Sequence, residues 1–294
     1  MVAISVLDLV PVSTTPKAAV FASIAAAKIA EEAGYTRYWI GEYHNNPALA
    51  CSATALLVSQ IAAATSQIRV GGGGMTLSER TPISLAEDLG TLGLLYQKRV
   101  EAALSVASYA DISAARKVRS HLAGLVGFYA QTPLCVYGSS LNTAMFAGQA
   151  GLPLAIASHI VPQHLESAIA VYRKSFVPSA QCEQPYVLAS ANIMVCDSRQ
   201  EALFQFTTLQ QMFGDAVSGK PGLISPPREV DMHPMVKAQM NSALSVSFVG
   251  TGPDVALRLQ EWANAHSVDE VLSVTYAYDP KVREGSIKEL GNWF

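Results

Sequence analysis

The feature that most constrains this chain is an alternation. Short β-branched or apolar runs are followed, over and over, by segments of helical period. Ala3 to Leu9 reads as the first strand, and Pro11 closes it. A helix opens at Pro16, with Thr14 and Thr15 as candidate caps, and stops at Gly34. Tyr38 to Ile40, Ile68 with Val70 and the glycines after it, and Arg99 to Val106 read as strands two to four. Leu134 to Tyr137, Leu154 to Ala157, Tyr186 to Cys196 and Glu270 to Thr275 read as strands five to eight. Between them Ala53 to Ala64, Ile83 to Leu95, Ser113 to Tyr129, Leu141 to Ala150, Gln163 to Lys174, Gln200 to Phe213 and Val255 to Ala265 read as helices. Eight such units are the arithmetic of a closed (β/α)8 barrel, with an open doubly wound sheet as the competitor. Gly214 to Met235, rich in glycine and proline, reads as a loop inserted before the last unit, either covering a site or lying free on the surface.

Composition narrows the class. Half of the 294 residues are hydrophobic and 15% are charged, which excludes a disordered chain. A net charge of −3 leaves no basic field for nucleic acid. The four cysteines form no C-x-x-C pair and no metal-binding spacing, so no metal is expected. Met1 to Pro11 carries no signal-peptide pattern, and the apolar stretches are too short to span a bilayer. The expectation is a cytoplasmic protein with reduced thiols and no membrane or nucleic-acid partner.

In such a barrel the functional groups gather where strands end. Strand two ends in Glu42, Tyr43, His44 and Asn45, a carboxylate beside an imidazole, suited to acid–base work. Capping of the next helix accounts for the same residues without chemistry. Gly71 to Gly74 follow strand three; they suit close approach of a flat ligand, or merely a turn. Neither a P-loop nor a dinucleotide fingerprint is present. Gly138-Ser139-Ser140, ahead of a helix containing Asn142 and Thr143, offers amides and hydroxyls to an anion; simple capping by Ser140 needs no ligand. Strand four ends at Ser105 to Tyr109, strand six at Ser158 and His159, and strand seven near Asn192 and Met194. Trp39, Tyr43, Met75, Tyr109 and Met194 suit an apolar or aromatic compound at the mouth, or ordinary core.

Taken in order, several segments resemble the bacterial-luciferase-like family of flavin-dependent monooxygenases. They are Ser5 to Leu9, Tyr38 to Asn45, Ala62 to Val70 running into Gly71–Gly74, Pro82 with Ala86-Glu87-Asp88, Gly138 to Ser140, Gly151 to Pro153 with Ala157 to His159, and Phe248 to Thr251. The resemblance implies one TIM-barrel domain over residues 1–294, of the single-chain luciferase-like type and usually a homodimer. It implies reduced FMN supplied by a separate flavin reductase, and O2 used to oxygenate a small organic substrate. Carried over by position, Glu42, Tyr43 and His44 take the catalytic role. Gly73 and Gly74 lie against the isoalloxazine, where the family often has a cis peptide bond. Ser139, Ser140 and Thr143 hold the phosphate, Ser158 and His159 flank the ring, and Met75, Ser105 and Tyr109 complete the cofactor set.

Two departures stand out. Tyr43 replaces the first of the family's paired histidines, and Val106 stands where an arginine usually meets the phosphate. The segment from Asp111 to Gln131 is short for the family, and its Arg116, Lys117 and Arg119 are either substitute charges or a solvated helix face. Two alternatives therefore stand beside a monooxygenase. One is a degenerate barrel that binds flavin without catalysis or serves as a non-catalytic partner subunit. The other is a related barrel using a deazaflavin or no cofactor.

Overall fold

A computed structural model describes residues 1–78, 80–124 and 132–294. Eight parallel strands close into a barrel: β1 (Ala3–Asp8), β2 (Arg37–Gly41), β3 (Arg69–Met75), β4 (Val100–Ser105), β5 (Leu134–Tyr137), β6 (Leu154–Ile156), β7 (Val187–Val195) and β9 (Glu270–Val274). Neighbours pair in chain order, and β9 closes the ring between β7 and β1. These strands are nearly continuous in buried residues, as a parallel sheet covered by helices requires. The closed barrel expected from the alternation is present.

A further short strand, β8 (Ser247–Gly250), pairs with the carboxyl-terminal half of β7, from Asn192 to Val195. The sequence reading passed over it, together with α8 (Pro234–Ala243) and α10 (Pro280–Gly291).

Helices α1 (Pro16–Glu32), α2 (Thr54–Ala64), α3 (Pro82–Leu95), α4 (Tyr109–Gly124), α5 (Leu141–Ala150), α6 (Leu165–Ser175), α7 (Arg199–Val217) and α9 (Gly252–His266) fill the connections. Thr15 caps α1 by accepting from Ala18 N–H, and Gly34 takes φ +80° just beyond the helix, as an L residue rarely does. Helix α4 begins four residues before the expected Ser113. The reason is local: Ser108 Oγ accepts from Asp111 N–H, and the Asp111 carboxylate accepts from Ser108 N–H, a reciprocal cap. The end expected for this helix, at Tyr129, lies outside the described residues. α7 runs to Val217, into the stretch expected to be loop. No helix among the described residues is long and apolar enough to cross a membrane.

The amino-terminal end of the barrel holds a cluster of ions. Arg37 grips Glu270 with two nitrogens, at 2.6 and 2.8 Å, and Glu101 with a third, at 2.8 Å. Trp39 Nε1 and Tyr186 OH donate to the same two carboxylates, at 2.7 and 2.8 Å. A cleft of about 500 Å³ lined by Arg37, Arg69 and Glu101 opens beside these ions, at the end opposite the one where such barrels carry their sites.

Candidate active site at the barrel mouth

At the end of β2 the Glu42 carboxylate is buried and fully engaged. It accepts from Thr76 N–H at 3.2 Å, from the Thr76 hydroxyl, from Arg80 Nη2 at 3.1 Å and from His44 Nε2 at 3.1 Å. A carboxylate paired to an arginine only accepts, so His44 donates from Nε2, and in the neutral ring Nδ1 then carries the lone pair. The His44 side chain is 40% exposed and stands at the rim. Tyr43 next to it is half-buried, and burial raises its phenol above the ordinary range. It is a hydrogen-bond donor near neutral pH and cannot act as a base there.

Two further phenols surround the mouth. Tyr137 ends β5 and Tyr276 follows β9; burial raises both, and each is close enough to Tyr43 for their charges to interact. Neither belongs to the expected site. Tyr276 stands at the end of the eighth barrel strand, where the strand-end rule leads as well. Asp8, which ends β1, belongs to a buried set: it accepts from Arg283 Nη1 at 2.8 Å, Tyr38 OH at 2.6 Å and Val10 N–H at 2.8 Å.

The glycine tract lies within β3, as its reading as part of the third strand has it, and does not form the alternative turn. A Cβ on Gly73 would stand 2.5 Å from Leu7 Cδ1 and 3.2 Å from Trp39 Cβ, and one on Gly71 would stand 2.3 Å from Glu101 O. These glycines make room for the barrel's own interior. Gly74 takes φ +90°, and the space where its Cβ would lie holds the Tyr137 ring at 2.9 Å. The β3–β4 register shifts there, between Gly73 and Met75. No cis peptide bond occurs among the described residues, in contrast to the family habit. Met75 is buried, with its side chain beside Gly72.

Ser139 and Ser140 lie half-buried between β5 and α5. Ser140 Oγ caps α5, accepting from Thr143 N–H at 3.1 Å, and lies 2.7 Å from the Thr143 hydroxyl. Thr143 donates to Val106 O at 2.5 Å. Gly138 is required beside them, since a Cβ would meet Val106 O and Thr143 Cγ2 at 3.0 Å. Val106 is buried, and its N–H bonds Tyr137 O. No substitute cation comes from α4: Arg119 bonds Ala150 O at the far end of α5, Arg116 stacks 5.8 Å from the Phe146 ring, and Lys117 is exposed. What remains for an anion is Ser139 and the amino terminus of α5, a neutral but correctly polarised set. This donor chemistry fits a phosphate held without a cation. Ser105 is half-buried at the end of β4, and Tyr109 is 79% exposed on the first turn of α4.

Ser158 and His159 follow β6 and are buried. Ser158 Oγ bonds Ser190 O, at 2.6 Å. Ser190 Oγ gives its hydrogen to Ile156 O at 2.9 Å, so at its 2.6 Å contact with His159 it accepts from Nδ1–H. Burial lowers His159 to about 4, so the ring is neutral at pH 7. His159 lines a cavity of about 170 Å³ shared by Asn192, Tyr276, Leu209, Met212 and Leu223. The inserted loop lies over it: Pro221 to Leu223 form part of its wall, and Ile224 is buried, its N–H bonded to Val12 O. Gln211 of α7 ties this cover down at Pro226 O, and Arg228 Nε bonds Gln211 Oε1. Of the two readings of the loop, the covering one holds. Among the described residues no group of His, Cys, Asp and Glu is gathered to hold a metal ion.

The chain is thus a parallel (β/α)8 barrel with an ion cluster at one end and, at the other, a covered cavity lined by His159, Asn192 and Tyr276; barrels of this kind carry their sites at the strand ends. The model of the luciferase-like monooxygenase family matches residues 2–114. A luciferase-like monooxygenase of Escherichia coli (strain K12) is 33% identical, over 96% of this chain and 94% of its own length. The chain therefore belongs to the luciferase-like monooxygenase family, which supports an oxidoreductase. Among solved structures, apo-MsnO8 superimposes with a TM-score of 0.89 at 27% identity, covering 100% of this chain and 98% of that one. The oxygenating constituent of 3,6-diketocamphane monooxygenase from Pseudomonas putida, in complex with FMN, shares the fold, with a TM-score of 0.74 at 14% identity over 100% of this chain and 99% of that one.

Proposed function

We propose that this chain is a monooxygenase that uses reduced FMN, delivered by a separate reductase, and O2 to oxygenate a small apolar or aromatic compound. The observation that carries the reading is the pairing of a hydroxyl-bearing helix amino terminus, at α5, with a covered apolar cavity at the same end of a luciferase-like barrel. Ser139, Ser140 and the first amides of α5 hold the phosphate. Ser105, Thr143, Ser158 and His159 would surround the rest of the group, with Tyr109 at the edge; for Gly73, Gly74 and Met75 to meet the ring, Tyr137 would have to leave its place over Gly74. When bound, the reduced flavin supplies two electrons, so that one oxygen atom of O2 enters the substrate and the other leaves as water.

The chain's own residues set the conditions. The cover over 221–224 and the apolar wall of Leu209, Met212 and Leu223 exclude water. His44, oriented by Glu42 through Nε2, presents Nδ1 as the proton acceptor at the rim. Tyr43 stays protonated and donates. The copies pair through exposed apolar residues on adjoining helices, Phe21 of α1, Leu56 of α2 and Leu95 of α3, of which Leu56 is 72% exposed.

A second reading keeps flavin binding without oxygenation. It is favoured by the neutral phosphate end and by the Tyr137 ring lying on Gly74. Titration of the purified chain with FMN, oxidised and then reduced, followed by exposure to O2, separates the two. Binding with substrate-stimulated O2 consumption supports the monooxygenase. Binding without it supports the second reading, and no binding in either state removes both. Ser140→Asp is the variant to compare, because aspartate keeps the helix cap and sets a carboxylate against the phosphate. It is expected to weaken FMN binding more than tenfold with the melting temperature little changed; undiminished affinity refutes the phosphate assignment.

A further inference from the structure

The cavity under the cover has a polar inner wall on which two buried groups, His159 and Asn192, have their hydrogens in use. His159 and Asn192 are each 1% exposed. The Nδ1–H of His159 is held by Ser190, whose own hydrogen goes to Ile156 O. That fixes the tautomer, and Nε2 is left as a bare lone pair with no partner in the protein. Asn192 behaves alike: its amide nitrogen donates to His159 O at 2.9 Å and contacts Ser247 Oγ at 3.4 Å, leaving only its carbonyl oxygen. The surrounding wall is aliphatic, from Leu209, Met212, Leu223 and Leu244. Of the other polar groups, Asn46 and Asp215 are more exposed, and the Tyr276 phenol is un-ionised.

A buried acceptor without a donor is costly, and a ligand that supplies the hydrogen removes that cost. We propose that this cavity selects a neutral organic molecule with one O–H or N–H donor on a small apolar body, a phenol, alcohol or N–H heterocycle, and that His159 Nε2 is the atom that receives its hydrogen. Carboxylates are rejected, since among the described residues no cation lines the cavity and Asp215 stands in its wall, so an anion would enter an apolar pocket unneutralised. Asn46, at the rim, positions no ligand atom in this scheme; its side-chain oxygen already accepts from Ala48 N–H. Only the word substrate rests on the oxygenation reading; the binding itself does not, and it is tested on the whole chain without flavin so that the two fail separately.

The test uses three probes of one shape: p-cresol, toluene and p-toluate. Calorimetry on the wild-type chain is expected to give p-cresol about tenfold tighter binding than toluene, the factor a single net hydrogen bond supplies, and no detectable p-toluate binding. Addition of p-cresol is expected to move the Nε2 resonance of His159 in a 15N-labelled sample. His159→Phe is expected to equalise p-cresol and toluene. Ser190→Ala, which frees the tautomer, provides a second variant should the first fold poorly, and is expected to reduce the preference. Equal binding of p-cresol and toluene by the wild type, binding of p-toluate, an unmoved Nε2 resonance, or a preference that survives both variants overturns the proposal.

Discussion

His159 concentrates the residue-scale physics. Its folded value, about 4, lies below the ordinary histidine value of 6.5. Between those two values the unfolded chain binds the proton and the folded chain does not. Stability is therefore complete above about pH 6.5 and falls as pH drops toward 4, by at most about 3 kcal/mol from this group. His159→Asn, which carries no titrating group, is expected to flatten that part of the stability curve. Urea unfolding at pH 7, 5.5 and 4.5 measures it; equal slopes for both proteins exclude the assignment. His159 was legible as a strand-end residue, but its partner was not. Ser190 lies on the next strand, 31 positions on, and nothing local in the sequence marks it. Arg283, which neutralises Asp8 from 275 positions away, was invisible for the same reason.

At the scale of elements, the sequence was readable wherever apolar periodicity was strong. β1 to β7 and β9 carry buried runs that no other element type explains. β8 is only four residues long, α10 mixes charged and polar residues with few apolar ones, and α8 buries only Met240, so neither period stands out. The start of α4 was misplaced although its signal, Ser108 and Asp111 at capping-box spacing, was in view. The glycine tract was correctly placed on β3 but not explained, because its neighbours Leu7, Trp39 and Tyr137 come from other strands. The cover of the cavity is held by few bonds, chiefly Ile224 to Val12, Gln211 to Pro226 and Arg228 to Gln211. Gln211→Ala removes two of the three. Limited proteolysis is expected to cut between residues 218 and 233 several times faster in that variant, with the melting temperature shifted little. An unchanged cutting rate means that the cover is held otherwise.

For the whole molecule, the two ends of the barrel divide the labour. The ion cluster ties β2, β4 and β9 together at one end, and the proposed site lies at the other. Arg37→Met strands two buried carboxylates and is expected to cost about 3–5 kcal/mol in unfolding free energy, measured by urea titration. FMN affinity of the fraction still folded is expected to be unchanged. A loss below about 1 kcal/mol would show that the carboxylates find protons or water instead. Leu56→Asp places a charge in the proposed contact between copies, and light scattering is expected to read a single-chain mass for the variant against twice that for the parent. A parent already of single-chain mass removes the pairing.

The pocket beside His159 draws on Asn46 in the first quarter of the chain, Leu209 in the third, and Leu223 and Tyr276 in the last. No fragment can assemble it, and no partly refolded species that lacks either terminus can display it. A molecule that lodges there is therefore a clock for refolding: its signal starts only when the last stretch of polypeptide has met the first.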